Sequence, residues 1–197
     1  MPTQKASNMT EMDRGQPLLH QHGHEMQPYS TLLNLPIALN PNTRSESCAL
    51  VNQILADTTI ILYHLYKKHY WLMRGHTFYQ LHLLLDKHAN EQLELIDALG
   101  ERVQTLGGVA IADPRHVAEV TKIQRPPNGV EAVPVMLSRL LETHELIIGE
   151  LRVAIAQTAV NQDSGTNDLF VSQALRTHES QVWFLAEHLV DTPLVRS

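Results

Sequence analysis

The chain is poor in cysteine and in aromatic residues: Cys48 is the single cysteine, and Phe, Trp and Tyr make up only 5% of 197 residues. A lone thiol excludes a disulfide framework and any cysteine-rich zinc module. Few aromatics, 9 glycines and 10 prolines beside 43% hydrophobic residues argue against a sandwich of short strands and for an aliphatic, helical core. No apolar h-region opens the chain, and no uncharged apolar run approaches the roughly 18 residues of a spanning helix, so a soluble cytoplasmic protein off the membrane is expected. Positive charge is also scarce. Lys and Arg number 15 against 21 Asp and Glu, and the formal charge of −6 excludes a surface that grips nucleic acid all over. Walker and dinucleotide glycine patterns are missing. Histidine, by contrast, is abundant: the chain has 12, and histidine is the commonest metal ligand.

Residues 1–42 read as a flexible tail rich in Gln, Asn, Pro and His, with a His20-x-His22-x-His24-Glu25 run that could hold a metal or simply be solvated. The domain proper is expected over 43–192, with a short C-terminal tail at 193–197. Thr43 and Glu46 have capping-box spacing ahead of the stripe Leu50, Ile54, Ile61, Leu65, which predicts a first helix reaching about Arg74, broken at Gly75. Leu81, Leu85, Leu95, Leu99 and Leu106 predict a second helix over about 77–106, closed by Gly107-Gly108. Asp113-Pro114 opens a short helix over about 114–123. Further long helices are expected over about 131–160, with Pro134 tolerated in the first turn, and about 167–190. Four long helices with a short extra one between the second and third make an all-α four-helix bundle the natural architecture.

The second helix carries the informative pattern. From His82, the offsets to Asp86, Asp97 and Glu101 fall at about 40°, 60° and 100° around the axis, so all four side chains share one side. His82 and Asp97 are about 22 Å apart along that helix and cannot share a metal within one chain. The pairs 82/101 and 86/97 have a common midpoint, so two copies packed antiparallel on a two-fold axis would set His82 against the partner's Glu101 and Asp86 against its Asp97. Two identical His/Asp/Asp/Glu sites would result, as an isologous contact requires. Such donors suit iron, manganese or zinc. The alternative is a solvated helix edge, with Lys87 and Arg102 beside the acids and His82 a surface or core histidine.

The stretch from Tyr70-Trp71 through Gly75, Phe78 and His82, then Asp86, Asp97-x-x-x-Glu101-Arg102 and Leu106-Gly107-Gly108, resembles the signature of the Dps miniferritins, written H-W-x-x-x-G-x-x-F-x-x-x-H, D-x-x-x-E-R and L-G-G. The resemblance extends over about 48–190, with His178-Glu179 and Trp183 also fitting. It implies a ferritin-like homododecamer built from two-fold dimers, in which intersubunit dinuclear sites oxidise Fe(II), preferentially with hydrogen peroxide, and the cage stores ferric iron against oxidative stress. His82, Asp97 and Glu101 fall on ligand positions of that motif, Asp86 on a ligand or neighbouring position, and Tyr70 and Trp71 beside them. A classical ferritin needs Glu-x-x-His within one chain, and no glutamate here has a histidine three residues on.

One position departs from the motif: Tyr70 stands where the first ligand histidine belongs. A phenol with a reference pKa near 10 is a poor neutral ligand. The expectation is a modified site completed by His178, with His64 or His69 as fallbacks, or with zinc favoured at one position; equally, His178 is structural and Tyr70 a packing residue. His88 points away from His82, toward an inner surface where Glu91 and Glu94 would nucleate mineral. Asp168, with Asp163 as companion, matches the acidic iron-entry loop of the resembled family. The first 43 residues hold only Lys5 and Arg14, and the C-terminal tail only Arg196, so weak or no DNA binding is expected. The rival reading is a structural DNA-compacting protein whose metal site is degenerate or zinc-filled.

Overall fold

A computed structural model describes residues 23–191, and among them every regular element is helical. Helix α1 covers Pro41–Leu72. Proline suits the first helical position, where its missing N–H would be unpaired anyway, and the Asn40 side chain accepts from the Asn42 N–H at 2.8 Å. The capping box expected at Thr43 and Glu46 therefore lies inside the helix. Glu46 instead accepts from Asn161 at 2.6 Å, tying α1 to the far end of another helix. Within α1, the segment Ile61–Lys67 is π-helical.

Helix α2 spans Phe78–Thr105, close to expectation, and the short helix α3 spans Pro114–Val120 with Asp113 as its cap, accepting from the Arg115 and His116 N–H groups. Helix α4 is Val133–Val160. Helix α5 is a continuous run of Ser164–Asp168, a π-helical stretch Leu169–Leu175, and Arg176–Glu187. It starts three residues before the expected 167 because Asp163 caps it, accepting from the Thr166 N–H at 3.1 Å.

The four long helices pack as a bundle in which α1 contacts α2, α3 and α4, and α4 contacts α5. The spaced residues Ile54, Ile61 and Leu65 of α1 and Leu81, Leu85, Leu95 and Leu99 of α2 all reach the core, where Phe170 and Leu140 join them. Removing one such leucine side chain costs about 2–5 kcal/mol. Helix α1 is long and apolar enough to cross a membrane by composition, but 67% of its most apolar window is buried inside the fold.

Residues 23–40 are not a free tail. They lie against the α1–α2 end of the bundle: the Leu33 N–H donates to the Gly107 carbonyl at 2.8 Å, Gln27 Nε2 donates to the same carbonyl at 2.9 Å, and Arg44 donates to the Leu33 carbonyl at 2.9 Å. The two glycines after Leu106 make this possible. Gly107 has φ +85, and a Cβ there would sit 2.7 Å from the Leu33 oxygen; one on Gly108 would sit 2.6 Å from Cys48 Sγ. His20 and His22, and the tail from 192 onward, lie outside the described residues; His24 and Glu25 are exposed.

Candidate metal centre

The break at Gly75, which adopts φ +113, turns the chain from α1 into α2 and lays the two against each other. The His82 ring is stacked on Tyr70, centroids 3.8 Å apart and planes 17° apart, with Phe78 at 4.9 Å on it as well. His82 Nδ1 lies 3.1 Å from the Tyr70 carbonyl oxygen. A carbonyl only accepts, so Nδ1 carries a hydrogen, and in the neutral ring Nε2 is left with the lone pair. That is how a ligand histidine is held by its outer partner.

One turn on, Asp86 accepts from Lys67 of α1 at 2.9 Å, and the same ammonium lies 4.9 Å over the Tyr70 ring. Lys67 thus joins the group formed by Tyr70, His82 and Asp86. Sequence reasoning missed it, because no spacing rule within α2 points to a lysine on α1. Asp97 and Glu101 are exposed and border a groove with Thr59, Ile96, Ala110 and Ile111. Among the described residues, no three His, Cys, Asp or Glu side chains of one chain gather where they could hold a metal ion. Trp71 and Trp183 are exposed at 68% and 61%, large apolar area with nothing in one chain to cover it.

His178 does not complete this group. It is fully buried in the bundle, with its Nδ1 2.8 Å from Nδ1 of His144. The fallback His69 is also fully buried, neither ring nitrogen has a partner, and burial followed by the Lys68 charge lowers its pKa to about 4. His64 is exposed. Periodicity on α5 alone could not separate the side of His178 that meets α2 from the side that meets α4.

His88 likewise points into the core and not toward an inner surface. With Tyr66, Gln92, His144, His178 and Gln181 it forms a fully buried polar cluster drawn from all four long helices. Tyr66 Oη is 2.6 Å from His144 Nε2, 2.9 Å from Gln181 Oε1 and 3.3 Å from His88 Nδ1. Gln92 donates to Gln181 Oε1 at 2.8 Å, and Gln181 donates to Glu91 at 2.8 Å. Burial lowers the pKa of His88 to about 4, that of His178 to about 3 and that of His144 well below 6.5, and it raises Tyr66 well above 10, so the cluster is neutral near pH 7.

Glu91 is half-buried and bonded to Lys87 as well as Gln181; burial pushes its pKa up, and those hydrogen bonds more than offset the rise. Glu94 is exposed beside it. Asp163 is buried at 2% exposure, accepting from Arg102 at 2.7 Å while it caps α5; it is a structural carboxylate and not an open pore residue. Asp168 is exposed.

A family model described as Ferritin-like domain matches residues 48–195. DpsC from Streptomyces coelicolor is a structural neighbour at TM-score 0.86 and 64% identity, covering 88% of this chain and 100% of that one. The chain is 59% identical over 144 residues to the "Uncharacterized protein in bpoA2 5′region" of Kitasatospora aureofaciens, covering 73% of this chain and 95% of the relative. It is 46% identical over 153 residues to the DNA protection during starvation protein of Halobacterium salinarum, covering 77% and 83%.

Proposed function

The chain belongs to the ferritin-like family and is a Dps homologue, and on that premise we propose that it is a miniferritin that oxidises Fe(II) with hydrogen peroxide at sites shared between two subunits and stores the ferric product in a dodecameric cage. The observation that carries the reading is the constraint on His82: Nδ1 tied to the Tyr70 carbonyl, Nε2 free, and Asp86 one turn away. Two-fold antiparallel pairing of α2 would bring the partner's Asp97 and the partner's Glu101 opposite them, and the exposed Trp71 and Trp183 supply apolar area for subunit contacts. With one imidazole and three carboxylates the donor set is oxygen-rich, which favours iron over zinc.

The reaction balances as two Fe(II), one hydrogen peroxide and two protons giving two Fe(III) and two waters. Two single-electron donors feeding one peroxide leave no hydroxyl radical behind. Carboxylates drawn from both chains neutralise the incoming cations, and the ferric product, more highly charged, is passed to the acidic interior that Glu94 would help to line. Some relatives carry DNA in their names; for this chain, net charge and the near absence of Lys and Arg before residue 44 support weak DNA affinity. The test is stopped-flow formation of Fe(III) from Fe(II) and peroxide, with assembly followed by light scattering. Acceleration that is lost in His82→Ala and in Glu101→Ala supports the reading, and wild-type rates equal to protein-free buffer reject it.

A further inference from the structure

The arm that precedes the bundle carries a donor pattern that the site proposed above does not use. His20, His22, His24 and Met26 follow one another at every second residue, and in an extended chain residues two apart lie on one side. Three imidazoles and a thioether would then share a side, with Glu25 on the other. Gly23, between His22 and His24, is the residue type that restricts the backbone least, so the run can turn and gather its donors around one ion. Between Arg14 and Arg44 the only formally charged side chain is Glu25, so no ammonium or guanidinium in this stretch repels a cation or takes its place.

The described part of the run is open to an ion and is held at its base. His24 and Glu25 are exposed, and no hydrogen bond among the described residues occupies the His24 ring. Met26 is exposed at 91%, more than Trp71 or Trp183. A single exposed apolar side chain means little by itself. Here the thioether falls in register with the three histidines, two residues after the last of them. Directly after Met26 the chain is fixed: Gln27 Nε2 donates to the Gly107 carbonyl at 2.9 Å and to the Thr31 carbonyl at 3.1 Å. A segment anchored beside its donors loses less freedom on binding an ion than a free tail does.

The donor types choose the metal. Carboxylate and carbonyl oxygens suit magnesium, calcium and manganese, whereas imidazole suits copper, zinc and nickel, and a thioether selects Cu(I) among them. A closed set of four protein donors leaves no position for peroxide, which separates a holding site from a catalytic one. We propose that His20, His22, His24 and Met26 form a copper site on the arm of each chain, holding Cu(I) through three imidazoles and the Met26 thioether. This site shares no residue with the group around His82, and it holds copper whether or not the chain oxidises iron.

The test uses the full-length assembled protein, loaded with Cu(I) without oxygen and challenged with a chromophoric Cu(I) chelator, the copper retained being counted per chain. X-ray absorption at the copper edge reports the donor atoms. The expected result is a single Cu(I) per chain with a sulfur neighbour beside nitrogens. Met26→Leu should remove the sulfur and weaken retention by about tenfold or more, a loss that even an outer partner of a metal ligand can cause. The combined variant His20→Gln, His22→Gln, His24→Gln should release the copper, with peroxide-driven Fe(III) formation and light scattering unchanged. His82→Ala, which disables the proposed iron site, should hold copper as the parent does. Copper kept equally by the combined variant, copper lost in His82→Ala, a donor shell without sulfur, or displacement of Cu(I) by an equal concentration of Zn(II) overturns the inference.

Discussion

Lys67 of α1 and Asp86 of α2 form an ion pair, Nζ to Oδ1 at 2.9 Å, one helical turn from His82. In the iron site proposed above the ammonium would occupy a carboxylate that the metal needs, and would compete with it. Lys67→Gln should therefore raise the affinity for Fe(II), read as a lower half-saturation in an oxygen-free titration. Both partners are partly exposed, so the stability cost should be small, up to about 1 kcal/mol. Unchanged or weaker affinity would show that Lys67 does not compete.

The proposed sharing of sites across a two-fold axis makes a complementation experiment decisive. In a mixed dimer of His82→Ala and Glu101→Ala subunits, one site carries both changes and the other carries neither. Co-refolding equal amounts of the two inactive variants should recover about a quarter of the wild-type sites if pairing is random. No recovery would count against the antiparallel pairing of α2.

Acid should weaken the fold over a defined window. His69 and His88 titrate at about 4 and His178 at about 3, all lowered first by burial, whereas each would titrate near 6.5 in the unfolded chain. Below pH 6.5 the unfolded chain binds protons that the folded chain refuses, so their contribution is fully present above that pH and falls as pH drops toward 4. Each fully buried histidine adds up to about 1.4 kcal/mol per pH unit to the slope. Urea midpoints measured between pH 7.5 and 4.5 should fall accordingly, and His69→Gln, which removes one such group, should flatten the curve.

Gly107→Ala would force a Cβ to 2.7 Å from the Leu33 oxygen at a backbone φ of +85. A destabilisation of about 2 kcal/mol or more is expected. Because Leu33 and Gln27 both bond to Gly107, segment 23–40 should loosen as well. Limited proteolysis that cuts near Leu33 faster in the variant than in the wild type checks this; equal rates would mean the arm is held elsewhere.

DNA binding should be weak. With a formal charge of −6 and only Lys5 and Arg14 among the first 43 residues, few phosphates can be neutralised. A gel shift at low salt should leave duplex DNA free at protein levels that saturate iron oxidation. Compact complexes at stoichiometric protein would contradict it.

Helix positions and the stripe His82, Asp86, Asp97, Glu101 were legible in the sequence because all four residues lie on one helix, whose 3.6-residue repeat fixes their relative directions. The same logic gave Ile54, Ile61, Leu81, Leu85 and Leu99 as core residues. Local rules failed where the partner is remote. Asn40-Pro41 outcompeted Thr43 as the helix start, and Asp163 was claimed by Arg102 and the α5 cap instead of facing solvent. His178, expected at the iron site, went to His144; the π-helical stretch Leu169–Leu175 just before it, invisible to a 3.6-residue reading, alters the side-chain directions that follow it.

By itself the sequence determined the helices, the aliphatic core, the acidic balance and a His/Asp/Asp/Glu stripe on one side of a single helix. Tertiary structure alone decided which charge sits on Asp86, how segment 23–40 is held, and that Tyr66 meets His88, His144 and Gln181, the last of these 115 residues away in the chain. The reason is physical. Directions along one helix follow from the backbone repeat, whereas contacts between helices are set by how whole faces pack, and no spacing within a single segment encodes that.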